Sequence, residues 1–346
     1  MTGDGYPVEL GFTSGGGEAI RYTVECAGPE VEPCLRLDLA LAACADAAGM
    51  AWPGEIVDRL RQAQAWGRLE YGTWISGRHG PEGDAFKLYV EVPAGGSPAA
   101  EAWARDVLGD APLLPSGTPM LRMIGVDAAA ARIELYYRAH GLQPWEVRRL
   151  LGRLGLASQA DALLDLVEAL AERSATERLP FAQSGFSLSL PLDLQPGAEA
   201  VCRVEKSSLK SGASAAPSAA DAISACGASL DAFDASAATY VCNTSVGYPV
   251  DSVAASAHIT SAPAVFSLFA PARSVIGPDG LVRQRLLDIA ARRGWPLRHY
   301  AAVSAPLADR LRARPAYHGL LSFIVAHGAP PQLHVGLRPP PFPQRK

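Results

Sequence analysis

Pairs of strands followed by helices recur along this chain, and this repeat constrains the fold more than any other feature. The units lie at residues 7–66, 68–108 and 121–173, and in the strand at 85–92 apolar and polar residues alternate cleanly. Each strand pair must cover its apolar face with its own helices, so its other face can point toward a common axis. The pattern therefore predicts an α+β fold: a closed antiparallel barrel of about ten strands with helices outside.

The repeat continues toward the C terminus with one interruption. Residues 207–272 are atypical and rich in Ala and Ser, and we interpret them as an insertion or a loop with a helix at 219–233. Residues 1–338 are expected to form one barrel domain, and the Pro-rich tail at 339–346 cannot continue a sheet. The other predicted elements are strands at 185–190, 201–207, 319–326 and 332–338 and helices at 281–294 and 304–314.

The composition narrows the class of protein. The chain has 346 residues, of which 49% are hydrophobic, so it can bury a large core. The formal net charge of −4 gives no indication of a nucleic-acid partner. No apolar run approaches the length of a membrane span. The six cysteines form no CxxC pair, so we expect reduced thiols in a cytoplasmic protein, as a monomer or homodimer.

Charged and aromatic residues occupy alternate positions on four of the predicted strands. A solvent-facing strand would give a similar pattern if each strand is taken alone. A cation followed at period two by a tyrosine nevertheless recurs in successive units, which favours one internal site. These candidate inner-face residues are Glu9; Arg21; Lys87 and Tyr89; and Arg132, Glu134 and Tyr136.

These motifs carry a resemblance to a known family. The run Gly5-Tyr6-Pro7-Val8-Glu9, followed by a hairpin and Arg21, resembles the opening motif of the dimethylallyltryptophan synthase family. Its members are aromatic prenyltransferases with an αββα barrel. Lys87-x-Tyr89 resembles the family's Lys-x-Tyr strand, and Arg132-x-Glu134-x-Tyr136 resembles its Arg-x-Lys-x-Tyr strand. The order of strands and helices fits most of the chain.

The resemblance implies a role for each matching residue. Glu9 would accept a hydrogen bond from the indole N–H of the acceptor. Three cations would hold the prenyl diphosphate, and a shield of aromatic rings would stabilise an allylic cation and exclude water. Trp74 is a candidate for the same pocket, with core packing as the alternative. The diphosphate ligands are Arg21, Lys87 and Arg132, and the shield residues are Tyr89 and Tyr136.

The resemblance also implies the cosubstrate, dimethylallyl diphosphate. The sequence has no DDxxD or NDxxD motif, the aspartate motifs with which other prenyltransferases bind magnesium. The family uses cationic side chains in their place, so we expect neither a metal nor another cofactor. The expected reaction is electrophilic aromatic substitution on a small-molecule acceptor.

Three departures from the family pattern bear on activity. Glu134 stands where the family has Lys, so it must turn outward or pair with a cation, or the site differs. Gly336 lies on a final strand that lacks the expected Tyr. The Lys/Tyr strand expected after 185–190 is represented by residues 202–206, in which Arg203 and Lys206 are candidate replacements for a phosphate ligand.

The leading hypothesis is an enzyme that transfers a dimethylallyl group to an indole or tryptophan-derived acceptor. One alternative is prenylation of a Trp or Tyr side chain in a peptide. Another is a degenerate barrel that binds a ligand without catalysing a reaction, which Glu134, Gly336 and the 207–272 segment favour.

Overall fold

A closed antiparallel barrel of ten strands forms the centre of the computed structural model, which describes residues 8–15, 19–49, 51–81, 83–110, 113–114, 119–192, 264–311 and 316–338. Each strand pairs with its neighbours in chain order, and the last strand pairs with the first. The predicted barrel is therefore confirmed. The strands are β1 (Val8–Thr13), β2 (Ile20–Glu25), β3 (Thr73–Gly80), β4 (Gly83–Glu91), β5 (Met120–Asp127), β6 (Arg132–His140), β7 (Gln183–Pro191), β8 (Val265–Pro271), β9 (His318–Ala326) and β10 (Gln332–Leu337).

Helices lie between the strand pairs and pack on the outside of the barrel. Two of them begin with strong capping signals: Ser97 accepts a hydrogen bond from the Ala100 amide at the start of α3, and Gln143 and Glu146 form a capping box at the start of α4. The described helices are α1 (Arg36–Ala48), α2 (Gly54–Gln64), α3 (Pro98–Leu108), α4 (Pro144–Arg153), α5 (Ala160–Ala171), α6 (Ala272–Val275), α7 (Asp279–Arg293) and α8 (Arg298–Val303).

The outer face of the barrel is apolar and joins the helices in the core. Ile75 and Leu88 pack against Ala40 and Cys44 of α1, and the other strands contribute to one large buried cluster. Each fully buried Leu or Ile stabilises the fold by about 1.5–3 kcal/mol. This burial is what turns the opposite face of every strand inward.

Strand pairing places polar residues side by side around the inner face of the barrel. Glu9 lies opposite Thr23, Thr23 opposite Ser76, and Ser76 opposite Lys87. Residues directly opposite each other in a sheet share a face, so this row follows the inside of the barrel across four strands. The sequence alternation thus becomes a continuous internal surface.

Two element boundaries differ from the predictions. The Gly- and Pro-containing stretch at 78–83 predicts a turn after a strand at 68–77, but strand β3 continues to Gly80. A helix predicted at 304–314 is absent from the described part of that range, where a 3₁₀ turn at Ala305–Leu307 follows α8. Pro306 stands in the first turn of this 3₁₀ segment, where proline is accommodated, and it prevents α8 from continuing past Val303.

The atypical segment contains one strand of the barrel. Strand β8 lies within residues 207–272 and takes the place beside β7, so this part of the segment is neither an insertion nor a loop. Three predictions lie outside the described residues: the strand at 201–207 with Arg203 and Lys206, the helix at 219–233, and the tail at 339–346.

Candidate functional site

The inner face changes character along the barrel axis. On the β3–β4 pair, Trp74 lies opposite Tyr89, Ser76 opposite Lys87, and Arg78 opposite Ala85. Moving toward the turn between these strands, aromatic rings thus give way to cations. We call the end of the barrel at which the β3–β4 turn lies the hairpin end. The turns that join β1 to β2 and β5 to β6 lie at the same end. A separation of this kind provides an anion site beside an apolar one.

Six buried residues form an inner aromatic cluster away from the hairpin end. Tyr89 and Tyr136 meet edge to face with ring centroids 5.7 Å apart, and Tyr136 lies 6.1 Å from Phe269. Edge-to-face pairs are favourable arrangements of aromatic quadrupoles. The cluster consists of Trp74, Tyr89, Met123, Tyr136, Phe269 and Leu320, with Tyr71 packed against it.

Lys87 lies next to this cluster and is paired with Glu134. The Lys87 Nζ is 2.7 Å from Glu134 Oε1, and both side chains are buried. The Tyr136 hydroxyl donates a hydrogen bond to the other carboxylate oxygen, and Nζ lies 5.7 Å from the centroid of the Tyr89 ring. A buried charge requires such a partner. Glu134 therefore pairs with a cation, one of the alternatives left open by the sequence.

Glu9 occupies a cradle made by two glycines. A Cβ atom added at Gly319 or Gly336 would overlap its carboxylate, so only glycine leaves room for this side chain. The guanidinium of Arg338 stands 4.0 Å away, the outer limit of an ion pair. Burial dominates and raises the pKa of Glu9 to about 8. The Glu9 carboxyl group is therefore mostly protonated at neutral pH.

Arg21 is buried on the neighbouring strand, directly opposite Gly11. Burial, followed by the like charge of Arg78, lowers the pKa of Arg21 to about 10, which leaves it cationic at neutral pH. His334 fills the space that Gly11 leaves open, and its Nδ1 lies 3.1 Å from Thr13 Oγ1. Burial, with the charge of Arg21 as the second cause, lowers the pKa of His334 to about 3. His334 is therefore neutral in the folded protein.

Arg132 is held at the hairpin end of β6. Its Nε donates to Ser189 Oγ at 2.9 Å, and a terminal nitrogen donates to the Ser189 carbonyl at 2.8 Å. Asp127 lies directly opposite it on β5. Ser189 of β7 thus orients the Arg132 guanidinium, and the acidic residue Asp127 occupies the opposite position on β5.

The described residues of the predicted site share the inner face. Glu9, Arg21, Lys87 and Arg132 lie there, as do the rings of the shield, Tyr89 and Tyr136. Trp74 belongs to the inner aromatic cluster and does not pack among the outer helices. Arg203 lies outside the described residues.

Three inner-face residues were not predicted from the sequence. Arg78 was placed in a turn, Phe269 lay in the atypical segment, and His334 was not singled out on the final strand. The alternation of Trp74, Ser76 and Arg78 was the available signal for a longer β3. The short run Val265–Pro271 is apolar except for Ser267, which is typical of a buried strand, but the Ala/Ser-rich residues before it obscured the strand.

In the part of the chain that the structure describes, no group of three or more His, Cys, Asp or Glu residues could hold a metal ion. None of the helices described is long and apolar enough to cross a membrane.

Comparisons with known proteins identify the same architecture. No protein-family model matches the sequence, and no curated protein does. A structure of 6-dimethylallyltryptophan synthase from Micromonospora olivasterospora in complex with DMASPP and Trp is similar, at a TM-score of 0.60 and 18% identity over 96% of this chain and 81% of that one. The 5-dimethylallyltryptophan synthase from Streptomyces coelicolor, in complex with the same two molecules, gives a TM-score of 0.58 and 17% identity over 96% and 78%.

A fungal structure extends the likeness. AnaPT from Neosartorya fischeri is similar at a TM-score of 0.56 and 11% identity, over 96% of this chain and 78% of that one. All these identities are low, so the similarity lies in three-dimensional structure. The chain shares the barrel fold of these proteins.

Proposed function

We propose that this protein is an aromatic prenyltransferase that transfers a dimethylallyl group from its diphosphate to tryptophan or a related indole. The observation that carries the proposal is the divided inner face, with Glu9 and aromatic rings in one part and cations in the other. The fold shared with the dimethylallyltryptophan synthases that were solved with DMASPP and Trp supports it. The motif residues around Glu9 and Arg21 support the same assignment.

Glu9 positions the acceptor in this proposal. A buried carboxylate accepts a strong, short hydrogen bond from an indole N–H. Once Glu9 has lost the proton that its pKa of about 8 retains at neutral pH, its negative charge orients the ring and makes it more electron-rich, which favours attack on a cation. The cradle of Gly319 and Gly336 holds the carboxylate in a single place.

The cationic residues stabilise the leaving group. When the C–O bond of the allylic diphosphate breaks, the electron pair remains on the diphosphate oxygen and an allyl cation is left. Arg21, Lys87 and Arg132 offset the negative charge that develops. In this role they replace a metal ion.

The inner aromatic cluster protects the cation. The rings of Tyr89 and Tyr136, with Trp74 and Phe269 beside them, present π faces that attract a cation. They also exclude water, which would otherwise trap the cation as an alcohol. A carbon of the indole ring then forms the new C–C bond, and loss of its proton to a base restores aromaticity.

Incubation with dimethylallyl diphosphate and tryptophan in EDTA tests the function. Mass spectrometry should show a prenylated amino acid, and Glu9→Ala and Lys87→Ala should abolish most of the product. Arg149→Ala is the matched control, because this exposed arginine lies on the outer helix α4. If folded protein consumes no allylic diphosphate across a panel of indoles and phenols, the proposed function is wrong.

Two alternatives are separated by the same experiment. Product formed on a Trp-containing or Tyr-containing peptide but not on the free amino acid would indicate a peptide prenyltransferase. The Lys87–Glu134 pair favours the second alternative, a barrel that binds ligands without turnover, because it neutralises one expected diphosphate ligand. That alternative predicts binding of an aromatic ligand with no specific affinity for diphosphate.

A further inference from the structure

Two arginines face each other across the β2–β3 pair inside the barrel. Arg21 lies directly opposite Arg78, and the neighbouring outer-face pair is Tyr22 and Gly77. Like charges at directly opposite positions of a sheet destabilise it. The repulsion is reflected in the pKa of Arg21, which burial and then the charge of Arg78 lower to about 10. This pair therefore opposes folding of the empty barrel.

Two other inner-face cations have partners of their own, whereas none of the described residues is a partner of Arg78. Lys87 is paired with Glu134, and Arg132 is bound to Ser189. No residue in the described part of the chain forms a hydrogen bond or salt bridge with the Arg78 guanidinium, which is partly buried. Arg78 thus remains able to bind an anion that enters the hairpin end.

We propose that Arg78 binds the diphosphate of the prenyl donor, as a two-arginine clamp with Arg21. This inference rests on the proposed function. Guanidinium groups bind phosphate oxygens in a bidentate manner, and one anion between the two arginines would turn their repulsion into attraction. Binding sites commonly keep residues that lower the stability of the fold because function requires them, and the Arg21–Arg78 pair fits this pattern.

The clamp also explains how the site tolerates Glu134. That carboxylate neutralises Lys87 and would repel a diphosphate placed beside it. Arg78 supplies a second cation directly opposite Arg21 on the neighbouring strand. Lys87 lies on the next strand, opposite Ser76. The diphosphate is therefore held mainly by Arg21 on β2 and Arg78 on β3, and Lys87 adds a weaker attraction because Glu134 offsets its charge.

Isothermal titration of the full-length protein with inorganic pyrophosphate and with dimethylallyl thiolodiphosphate tests the clamp. Loss of a charge-assisted contact in Arg78→Ala should weaken both affinities about tenfold or more, whereas Arg149→Ala should bind like the wild type. Arg78→Lys keeps the positive charge but loses the paired N–H donors of the guanidinium, so its affinity for diphosphate should lie between those of the wild type and Arg78→Ala.

Thermal unfolding without ligand supplies a second readout. Relief of the repulsion should raise the melting temperature of Arg78→Ala and of Arg78→Gln, whereas a merely structural arginine would lower it. A lower melting temperature, or unchanged diphosphate affinity in Arg78→Ala while the wild type binds, would overturn the clamp and leave the proposed function in place. If wild-type protein binds neither diphosphate, the proposed function itself fails.

Discussion

The Lys87 ammonium lies 2.7 Å from the Glu134 carboxylate inside the barrel, and the two side chains are no more than 5% exposed. Tyr136 donates a hydrogen bond to the same carboxylate. This pair stands where the resemblance predicted two cations for a diphosphate. It makes the Lys87 region electrically neutral in the empty protein and leaves the positive charge near Arg21.

Glu134→Gln should destabilise the empty protein and strengthen its binding of diphosphate. Removing one partner of a buried ion pair leaves an uncompensated charge, which costs about 3 kcal/mol of unfolding free energy. Chemical denaturation should measure this loss, and added pyrophosphate should restore part of it because Lys87 then has an anionic partner.

The double variant Lys87→Met/Glu134→Gln is the matched control. It removes both charges, so its stability should return toward that of the wild type, while pyrophosphate should give no extra stabilisation beyond that of the wild type. A single variant as stable as the wild type would show that the pair is not buried in solution.

Gly336→Ala should remove most of the activity without unfolding the protein. The new methyl group would overlap the Glu9 carboxylate and displace it from its cradle. Steady-state kinetics should show a large loss in kcat/KM for the acceptor and a smaller change in affinity for pyrophosphate, because the proposed diphosphate ligands Arg21 and Arg78 lie one inner-face row closer to the hairpin end than Glu9.

Gly152→Ala is the control for that substitution. Gly152 lies within α4, and an added Cβ atom there has nothing within 4 Å. It should keep full activity and gain about 0.5–1 kcal/mol of stability from helix propensity. Full activity in Gly336→Ala as well would contradict a fixed role for the Glu9 cradle.

The stability of the empty protein should fall as the pH rises through the titration range of Glu9. Burial raises its pKa from 4.5 to about 8, so the folded protein binds this proton more tightly than the unfolded chain does. The contribution of Glu9 is therefore most favourable below pH 4.5 and declines until about pH 8, with a slope of at most about 1.4 kcal/mol per pH unit.

Glu9→Gln should lack this dependence. Denaturation curves of the variant and the wild type should agree near pH 4.5 and diverge in favour of the variant toward about pH 8. In the active enzyme, kcat/KM for the acceptor should rise with pH up to the same pKa, because the carboxylate is the better hydrogen-bond acceptor. Parallel stability curves for the two proteins would show that Glu9 titrates normally.

Tyr89→Ala should let water trap the allyl cation, whereas Tyr89→Phe should not. The ring of Tyr89 packs edge to face on Tyr136 within the inner aromatic cluster, and its π face does not depend on the hydroxyl. The ratio of dimethylallyl alcohol to prenylated product, measured by chromatography, should rise about tenfold or more in the alanine variant. Equal ratios in all three proteins would place the cation elsewhere.

Much of the barrel follows from the sequence, because alternation on a half-buried strand is a local signal. The inner face of β4 was predictable for this reason: Lys87 and Tyr89 alternate with apolar residues that face the helices. The same signal placed Arg132, Glu134 and Tyr136 on one face of β6.

Other features depend on contacts between residues distant in the chain. Arg78 precedes a Gly-Pro turn that masks the weak alternation before it, and its pairing opposite Arg21 establishes that it belongs to a strand. The Glu9 cradle brings together β1, β9 and β10, and no local pattern marks Gly319 as its neighbour. The partner of Glu134 could likewise be determined only once β4 and β6 were placed around β5.

A crystal structure of the protein with dimethylallyl thiolodiphosphate and tryptophan is the most direct test of the divided inner face. We predict that the diphosphate contacts Arg21 and Arg78 near the hairpin end, with the indole N–H donating to Glu9 and the dimethylallyl group against Tyr89 and Tyr136. Diphosphate bound outside the barrel, or an indole ring far from Glu9, would contradict the account.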